Sequence, residues 1–274
     1  MTLYDISKMF NRALSHSFEK KKFIFLFLML CIAGVFVLFF RSLALFADGW
    51  WKTSLDFFPL FIALGFVLAA EVILVRLYVR QQEGEKPEII SILMESWELM
   101  LRISYLAMPF LLLYLLFWIL SGLFLLLKAI PIFGTVLAVI FSFAPFIFNL
   151  GSILLVVAAL FLCFYVCPHL ALDKQISRRT LFQKLKAEPF FILFFFLIDL
   201  VPVWIVFKIL TFAATLTFVI ESLEVGSLEK VLQSFFIMIP FLAILTPMIN
   251  FFFNFALESA LWLAAGRESQ DEYI

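Results

Sequence analysis

Three carboxyl groups lie inside long apolar stretches of this sequence. Glu71 precedes Arg80 by nine residues, Glu258 precedes Arg267 by nine, and Asp199 follows Glu188 by eleven. At ~1.5 Å per residue, each carboxyl would lie ~13–17 Å along a helix from its charged end. Ionisable groups at that depth in a membrane cost at least ~2.5 kcal/mol each, and they commonly mark ion or proton sites.

Four polar residues recur every fourth position near the end of the chain. On a helix they form one stripe among Phe, Leu, Ile and Met side chains, and such a stripe faces other helices. These four residues are Thr246, Asn250, Asn254 and Glu258. Together with Glu71 and Asp199 they form the candidate intramembrane polar site. Pro202 and Pro247 would free backbone carbonyls beside it.

Two interpretations of these polar groups remain open. They could bind a proton or cation on a transport pathway. Alternatively, Asn250 and Asn254 could only hold helices together, while Glu71 and Asp199 pair with basic neighbours. The basic neighbours in question are Arg76, Arg102 and Lys208.

Other chemistry has little support in the sequence. Cys163 and Cys167 stand one helical turn apart, and His169 follows them, but no fourth ligand is apparent for zinc. No nucleotide-binding, hydrolase or metalloprotease motif occurs. We therefore expect no metal, no cofactor, no catalytic residue and no enzymatic activity.

The elements that must position these residues are membrane helices. The chain has 274 residues, of which 65% are hydrophobic and 15% charged, whereas soluble domains are about 45–50% apolar and about 25% charged. Zero net charge gives no basis for nucleic-acid binding. The sequence predicts an all-α polytopic helix bundle forming one domain over residues 1–274.

Runs of ~20 apolar residues, which suffice to cross a bilayer, place the spans. Residues 1–22 are amphipathic and basic, which is typical of a helix lying at the membrane interface. The predicted spans cover residues 23–46, 57–79, 103–127, 146–167, 190–218 and 231–265.

Charge determines the number of spans. Ala129 to Leu172 contains no Asp, Glu, Lys or Arg, so it could cross once or twice. One crossing places fifteen Lys and Arg residues on one side and five on the other, in agreement with the positive-inside rule. This predicts six spans, both termini in the cytoplasm of a bacterial-type inner membrane, and a short external or re-entrant helix at 129–145.

The cytoplasmic segments carry the basic residues that would contact lipid. We expect binding to the bilayer and its anionic headgroups, since each cation near such a surface contributes about 1 kcal/mol. The expected contact residues are Lys20, Lys21, Lys22, Arg178 and Arg179.

The chain also repeats in outline. A cytoplasmic amphipathic or basic segment precedes a pair of spans three times, at 1–22, 87–102 and 173–188, with a period of roughly 85 residues. Three helical-hairpin repeats would give this outline, and so would any series of hairpins.

The order of segments and spans, as in Glu88–Phe117 and Lys174–Phe196, resembles a group of bacterial six-span membrane proteins. The group includes the membrane domain that precedes some glycerophosphodiester phosphodiesterases. No phosphodiesterase domain is present in this sequence, and the resemblance implies only a membrane protein of unassigned role.

Two functional classes follow. One is a small permease or ion-coupled transporter for an unknown small solute. The other is a structural or assembly protein that organises lipids or a membrane protein partner.

Overall fold

The computed structural model describes residues 3–44, 47, 50–85, 88–128, 130, 139, 143–172, 178–221 and 227–271. Helices make up nearly all of this part of the chain, and it contains no strand. The predicted all-α class is therefore confirmed.

Ten α-helices follow one another in the described ranges. In order they are α1 Leu3–Ser17, α2 Lys20–Ala44, α3 Trp50–Gln82, α4 Ile89–Ser104, α5 Met108–Lys128, α6 Ala144–Phe161, α7 Cys167–Leu172, α8 Arg178–Ala187, α9 Pro189–Glu221 and α10 Ser227–Asp271. A 3₁₀ turn, Tyr105–Ala107, joins α4 to α5, and a π-helical turn, Leu162–Val166, joins α6 to α7.

Six helical stretches are long and apolar enough to cross a membrane, which confirms a polytopic bundle. They are Lys20–Ala44, Phe58–Gln82, Ile89–Lys128, Phe146–Leu172, Pro189–Leu216 and Val231–Leu263. Large apolar side chains cover their outer faces, such as Leu126 (70% exposed), Phe190 (85%) and Phe212 (66%). A continuous apolar exterior of this kind is suited to lipid and not to water.

Helix α3 lies at the centre of the bundle. In its most apolar stretch 61% of the residues are buried, against 17% for α2. It packs against α2, α4, α5 and α7, and the small residues Gly65, Ala69 and Ala70 keep its surface close to its neighbours. Ser104 donates a hydrogen bond to the Gly65 carbonyl oxygen at 3.1 Å, which joins the end of α4 to α3.

A second close approach joins α2 to α10. A Cβ added at Gly34 would lie 2.6 Å from Met238 Sδ and 3.1 Å from Leu242 Cδ1. Only glycine therefore fits here without displacing α10 side chains.

Helix α1 packs lengthwise against α10, a contact between helices that the sequence did not predict. Met9, Ala13 and Ser17, spaced by four, form its buried stripe. Arg12 lies beside Glu258, Ala13 beside Asn254 and Ser17 beside Asn250, so the two helices run antiparallel. Leu14 and Phe18 remain exposed. The small residues Ala13 and Ser17 explain this contact, because Ala and Ser allow close helix packing.

Helix α4 is not separate from the span that follows it. It continues through the 3₁₀ turn into α5, and it buries Ile92, Ser96 and Ile103 against α3. Most of the predicted short helix at 129–145 lies outside the described residues.

Candidate functional site

Glu71 and Asp199 form a pair of enclosed carboxyl groups inside the bundle. Both residues are 0% exposed, and they are near enough to interact electrostatically. None of their four carboxyl oxygens has a hydrogen-bond partner within the part of the chain that the structure describes. Buried polar groups are nearly always hydrogen-bonded, so two unsatisfied carboxyl groups in one core are unusual.

The basic residues that could have neutralised this pair are engaged elsewhere. The Arg76 guanidinium donates to Ser96 Oγ at 2.6 Å, which turns it toward α4. The Lys208 ammonium lies 5.8 Å from the centre of the Trp204 ring, and Arg102 is exposed. The structure therefore does not pair Glu71 or Asp199 with any of these three cations.

Two thiols stand beside the carboxyl pair. Cys167 adjoins Glu71 and lies 3.9 Å from the Leu68 carbonyl oxygen, and Cys163 is also within electrostatic range of Glu71. Both thiols are free and buried. Thiols are weak donors, so they leave the carboxyl oxygens largely unsatisfied.

The π-helical turn that carries Cys163 has a local cause. Pro168 has no backbone N–H, and its ring clashes with the carbonyl of the fourth residue before it, Phe164. The helix widens at Leu162–Val166, immediately before this proline. Such π turns often occur at functional sites because they alter which side chains face the interior.

A proline also modifies α9 beside Asp199. Pro202 lies inside the helix and cannot donate to the Ile198 carbonyl, four residues earlier. The carbonyl one residue before Asp199 therefore lacks its usual helical donor.

The polar stripe of α10 differs from the carboxyl pair, because two of its residues contact α1. Asn250 Nδ2 donates to the Ser17 carbonyl oxygen at 2.9 Å and lies 3.4 Å from that of His16. Asn254 Nδ2 lies 3.5 Å from both the Ala13 carbonyl oxygen and Ser17 Oγ. Thr246 donates to Leu242 of its own helix at 2.6 Å.

Glu258, the last member of the stripe, joins three helices. Its Oε1 accepts hydrogen bonds from the Tyr78 hydroxyl and, at 3.2 Å, from Gln82 Nε2, both on α3. Its Oε2 lies 3.9 Å from the Arg12 guanidinium of α1. The carboxyl is almost completely buried yet has donors on both sides.

A second polar cluster connects the α1–α2 turn to α3. Glu19 accepts from His16 at 2.5 Å and from Gln81 at 2.9 Å, and Lys22 Nζ lies 3.4 Å away. Partial burial raises the pKa of Glu19, but these donors and the Lys22 charge outweigh burial and lower the pKa below its usual value. The ionised form of Glu19 is thereby favoured at neutral pH.

One predicted lipid contact is corrected by this cluster. Lys22 is buried, with its ammonium 4.8 Å from the Tyr78 ring centre, and so it cannot contact headgroups. The ion pair with Glu19 and the aromatic ring offset the loss of water around the ammonium. Lys20 and Lys21 are exposed, and their contact with headgroups stays a prediction, whereas the side chains of Arg178 and Arg179 lie outside what the structure describes.

The structure therefore divides the predicted polar site in two. Glu71 and Asp199 are within electrostatic range of each other, while Glu258 is bound at the level of Tyr78, seven residues or ~10 Å further along α3. Sequence reasoning missed Tyr78, which binds Glu258, and Ser17, whose carbonyl accepts from Asn250. Both contacts depend on how α1 and α3 pack against α10. It placed Cys163 and Cys167 near one another but gave no signal that they adjoin Glu71.

The described residues contain no group of three or more His, Cys, Asp and Glu side chains suited to a metal ion. Comparison with known proteins assigns no family, since no family model, curated protein or solved structure matches this chain.

Proposed function

We propose that this multi-pass membrane protein is a small permease in which proton binding at Glu71 and Asp199 is coupled to movement of a small solute. The supporting observation is the enclosed carboxyl pair, which has no basic partner and no hydrogen-bond donor other than weak thiols among the described residues. An isolated buried carboxylate is costly, so in this proposal the pair holds its protons while it is enclosed.

Proton coupling follows from a change of surroundings. When the packing around Glu71 opens to water, an acid of ordinary strength ionises at neutral pH. Each cycle of opening and closing would then release and rebind protons at the same site. The π-helical turn beside Cys163 and the proline-interrupted α9 beside Asp199 are places where the helices can rearrange.

We also propose an orientation in the membrane. We place both termini in the cytoplasm of a bacterial-type inner membrane, because the fifteen-to-five distribution of Lys and Arg favours it. We assign no enzymatic role, because the sequence holds no nucleotide-binding, hydrolase or metalloprotease motif.

A structural or assembly role is the second candidate. It is supported by the α10 stripe, whose Asn250 and Asn254 are buried and engaged with α1. In that role the carboxyl pair would be incidental, and the exposed basic residues Lys20 and Lys21 would organise lipid.

The test compares the small-solute contents of cells that lack the protein with those of cells that make it or a variant. We expect Glu71→Gln and Asp199→Asn to reproduce the deletion, because each removes a titratable proton and keeps nearly the same shape. Glu95→Gln is the matched control, since Glu95 is an exposed carboxylate paired with Arg80 on the surface.

All variants must reach the membrane at wild-type amounts for the comparison to count. Wild-type solute contents in both neutral variants would contradict proton-coupled transport. Altered lipid composition with unchanged solutes in the deletion strain would favour the structural role.

A further inference from the structure

A polar cleft lies between α1 and the end of α10, apart from the carboxyl pair. Its volume is about 330 Å³, at the small end of the range for ligand sites. It is lined by Asp5, Lys8, Arg12, Glu258, Leu261 and Trp262, together with Met9 and Gln82.

Opposite charges face each other across this cleft. Lys8 and Arg12 are one turn apart on α1, so both cations point to the same side. Glu258 lies on the opposite wall, with one carboxylate oxygen bound by Tyr78 and Gln82. The other oxygen is 3.9 Å from the Arg12 guanidinium, which is longer than a hydrogen bond and leaves that oxygen able to accept another donor.

The apolar wall fixes the position of the cleft in the membrane. Leu261 and Trp262 stand at the end of the apolar stretch Val231–Leu263, and Trp262 packs against Phe195 of α9. Tryptophan at the end of a span is typical of the headgroup region. The cleft therefore lies at the depth where a phospholipid presents its phosphate.

The charges also restrict the ligand. A phosphate fits the two cations, but the lining also carries two carboxylates, Asp5 and Glu258, so a purely anionic headgroup would bring negative charge toward them without compensation. A primary ammonium can donate hydrogen bonds to the Glu258 carboxylate, whereas a choline nitrogen has no N–H to donate. Phosphate and primary ammonium together make phosphoethanolamine.

We propose that this cleft binds the headgroup of phosphatidylethanolamine, with its phosphate at Lys8 and Arg12 and its ammonium at Glu258. A bound lipid would connect α1, α3 and α10, because these three helices supply the contacts. Free phosphoethanolamine has the same polar groups as this headgroup, but it lacks the acyl chains of the lipid.

The test uses the full-length protein in detergent with equal amounts of phosphatidylethanolamine, phosphatidylglycerol and phosphatidylcholine, read by native mass spectrometry. The wild-type protein should retain phosphatidylethanolamine preferentially. Lys8→Ala and Arg12→Ala should each lower its retention about 5- to 10-fold, as loss of one charge-assisted contact predicts. Lys21→Ala is the matched control, because Lys21 is an exposed lysine of α2 outside the cleft lining.

Glu258→Gln separates the two halves of the headgroup. It should reduce the preference for phosphatidylethanolamine over phosphatidylglycerol, because the ammonium loses its counter-charge. Lys8 is exposed, so Lys8→Ala tests the cleft even if Glu258→Gln impairs folding.

Equal retention of the three lipids, or unchanged retention in Lys8→Ala and Arg12→Ala, would overturn the proposal. A thermal-shift arm with soluble phosphoethanolamine tests the source. Stabilisation by this compound without selective lipid retention would overturn the assignment to a lipid.

Discussion

Asn250 and Asn254 bind α1 with unequal geometry. The Asn250 amide makes a 2.9 Å hydrogen bond to the Ser17 carbonyl oxygen, whereas both contacts of the Asn254 amide are 3.5 Å long. Hydrogen bonds weaken as they lengthen. The stability of α1 docking should therefore depend more on the first residue than on the second.

Replacing either asparagine with leucine removes these bonds at similar volume. We expect Asn250→Leu to lower the free energy of unfolding by about 0.6 kcal/mol, the mean for hydrogen bonds between membrane helices, and Asn254→Leu to lower it less. Unfolding in a detergent titration would measure both values.

Thr246→Val is the matched control for the two asparagine variants. Among the described residues, the Thr246 hydroxyl bonds within α10, so its removal breaks no described hydrogen bond between helices. Equal losses of stability in all three variants would show that apolar packing alone holds α1 in place.

At the scale of elements, the number of crossings between α5 and α9 determines the arrangement of the whole chain. The described residues supply one span there, Phe146–Leu172. One crossing places α4 and α8 on the same side of the membrane as α1, and the distribution of basic residues favours that side as the cytoplasm.

Reporter fusions test this arrangement. Fusions after Lys86, Lys186 and Arg267 should report the cytoplasm, whereas fusions near Trp51 and Glu224 should report the opposite side. An external signal at Lys186 would require a second crossing between Ala129 and Leu172, and the six-span arrangement would then be wrong.

The elements differ in how far their positions follow from the sequence. Apolar length identifies the crossing stretches, because a bilayer imposes a minimum length on any crossing helix, and the charge distribution predicts a single crossing between Ala129 and Leu172. It does not specify what a short amphipathic helix packs against. Met9 and Ala13 could have faced lipid or protein, and only the matching stripe on α10 determines that they face protein.

At the scale of the whole molecule, the sequence identifies the residues of the candidate site but not how they are arranged. Glu71, Asp199 and Glu258 could each be identified from the sequence as carboxyl groups at depth. Which of them come together depends on rotation about each helix axis and on contacts between distant elements. The Tyr78 hydroxyl and the Gln82 amide bind Glu258, and neither contact has a sequence signature.

The resulting molecule has a lipid-facing exterior, α3 at its centre, and two carboxyl groups enclosed beside that central helix. Its α1 end carries a dense polar network, while the carboxyl pair has almost no polar support. This contrast in polar contacts is the observation on which the proposed proton site depends.

The protonation of Glu71 and Asp199 at neutral pH tests this account most directly. Infrared spectroscopy of the purified protein in lipid detects the carbonyl band of protonated carboxyl groups, and ordinary Asp and Glu side chains are ionised at pH 7. We expect a protonated-carboxyl band in the wild-type protein at pH 7 that decreases in Glu71→Gln and in Asp199→Asn and is lost in the double variant. Glu95→Gln should leave it unchanged. A wild-type protein without this band, or a double variant that keeps it, would contradict the account.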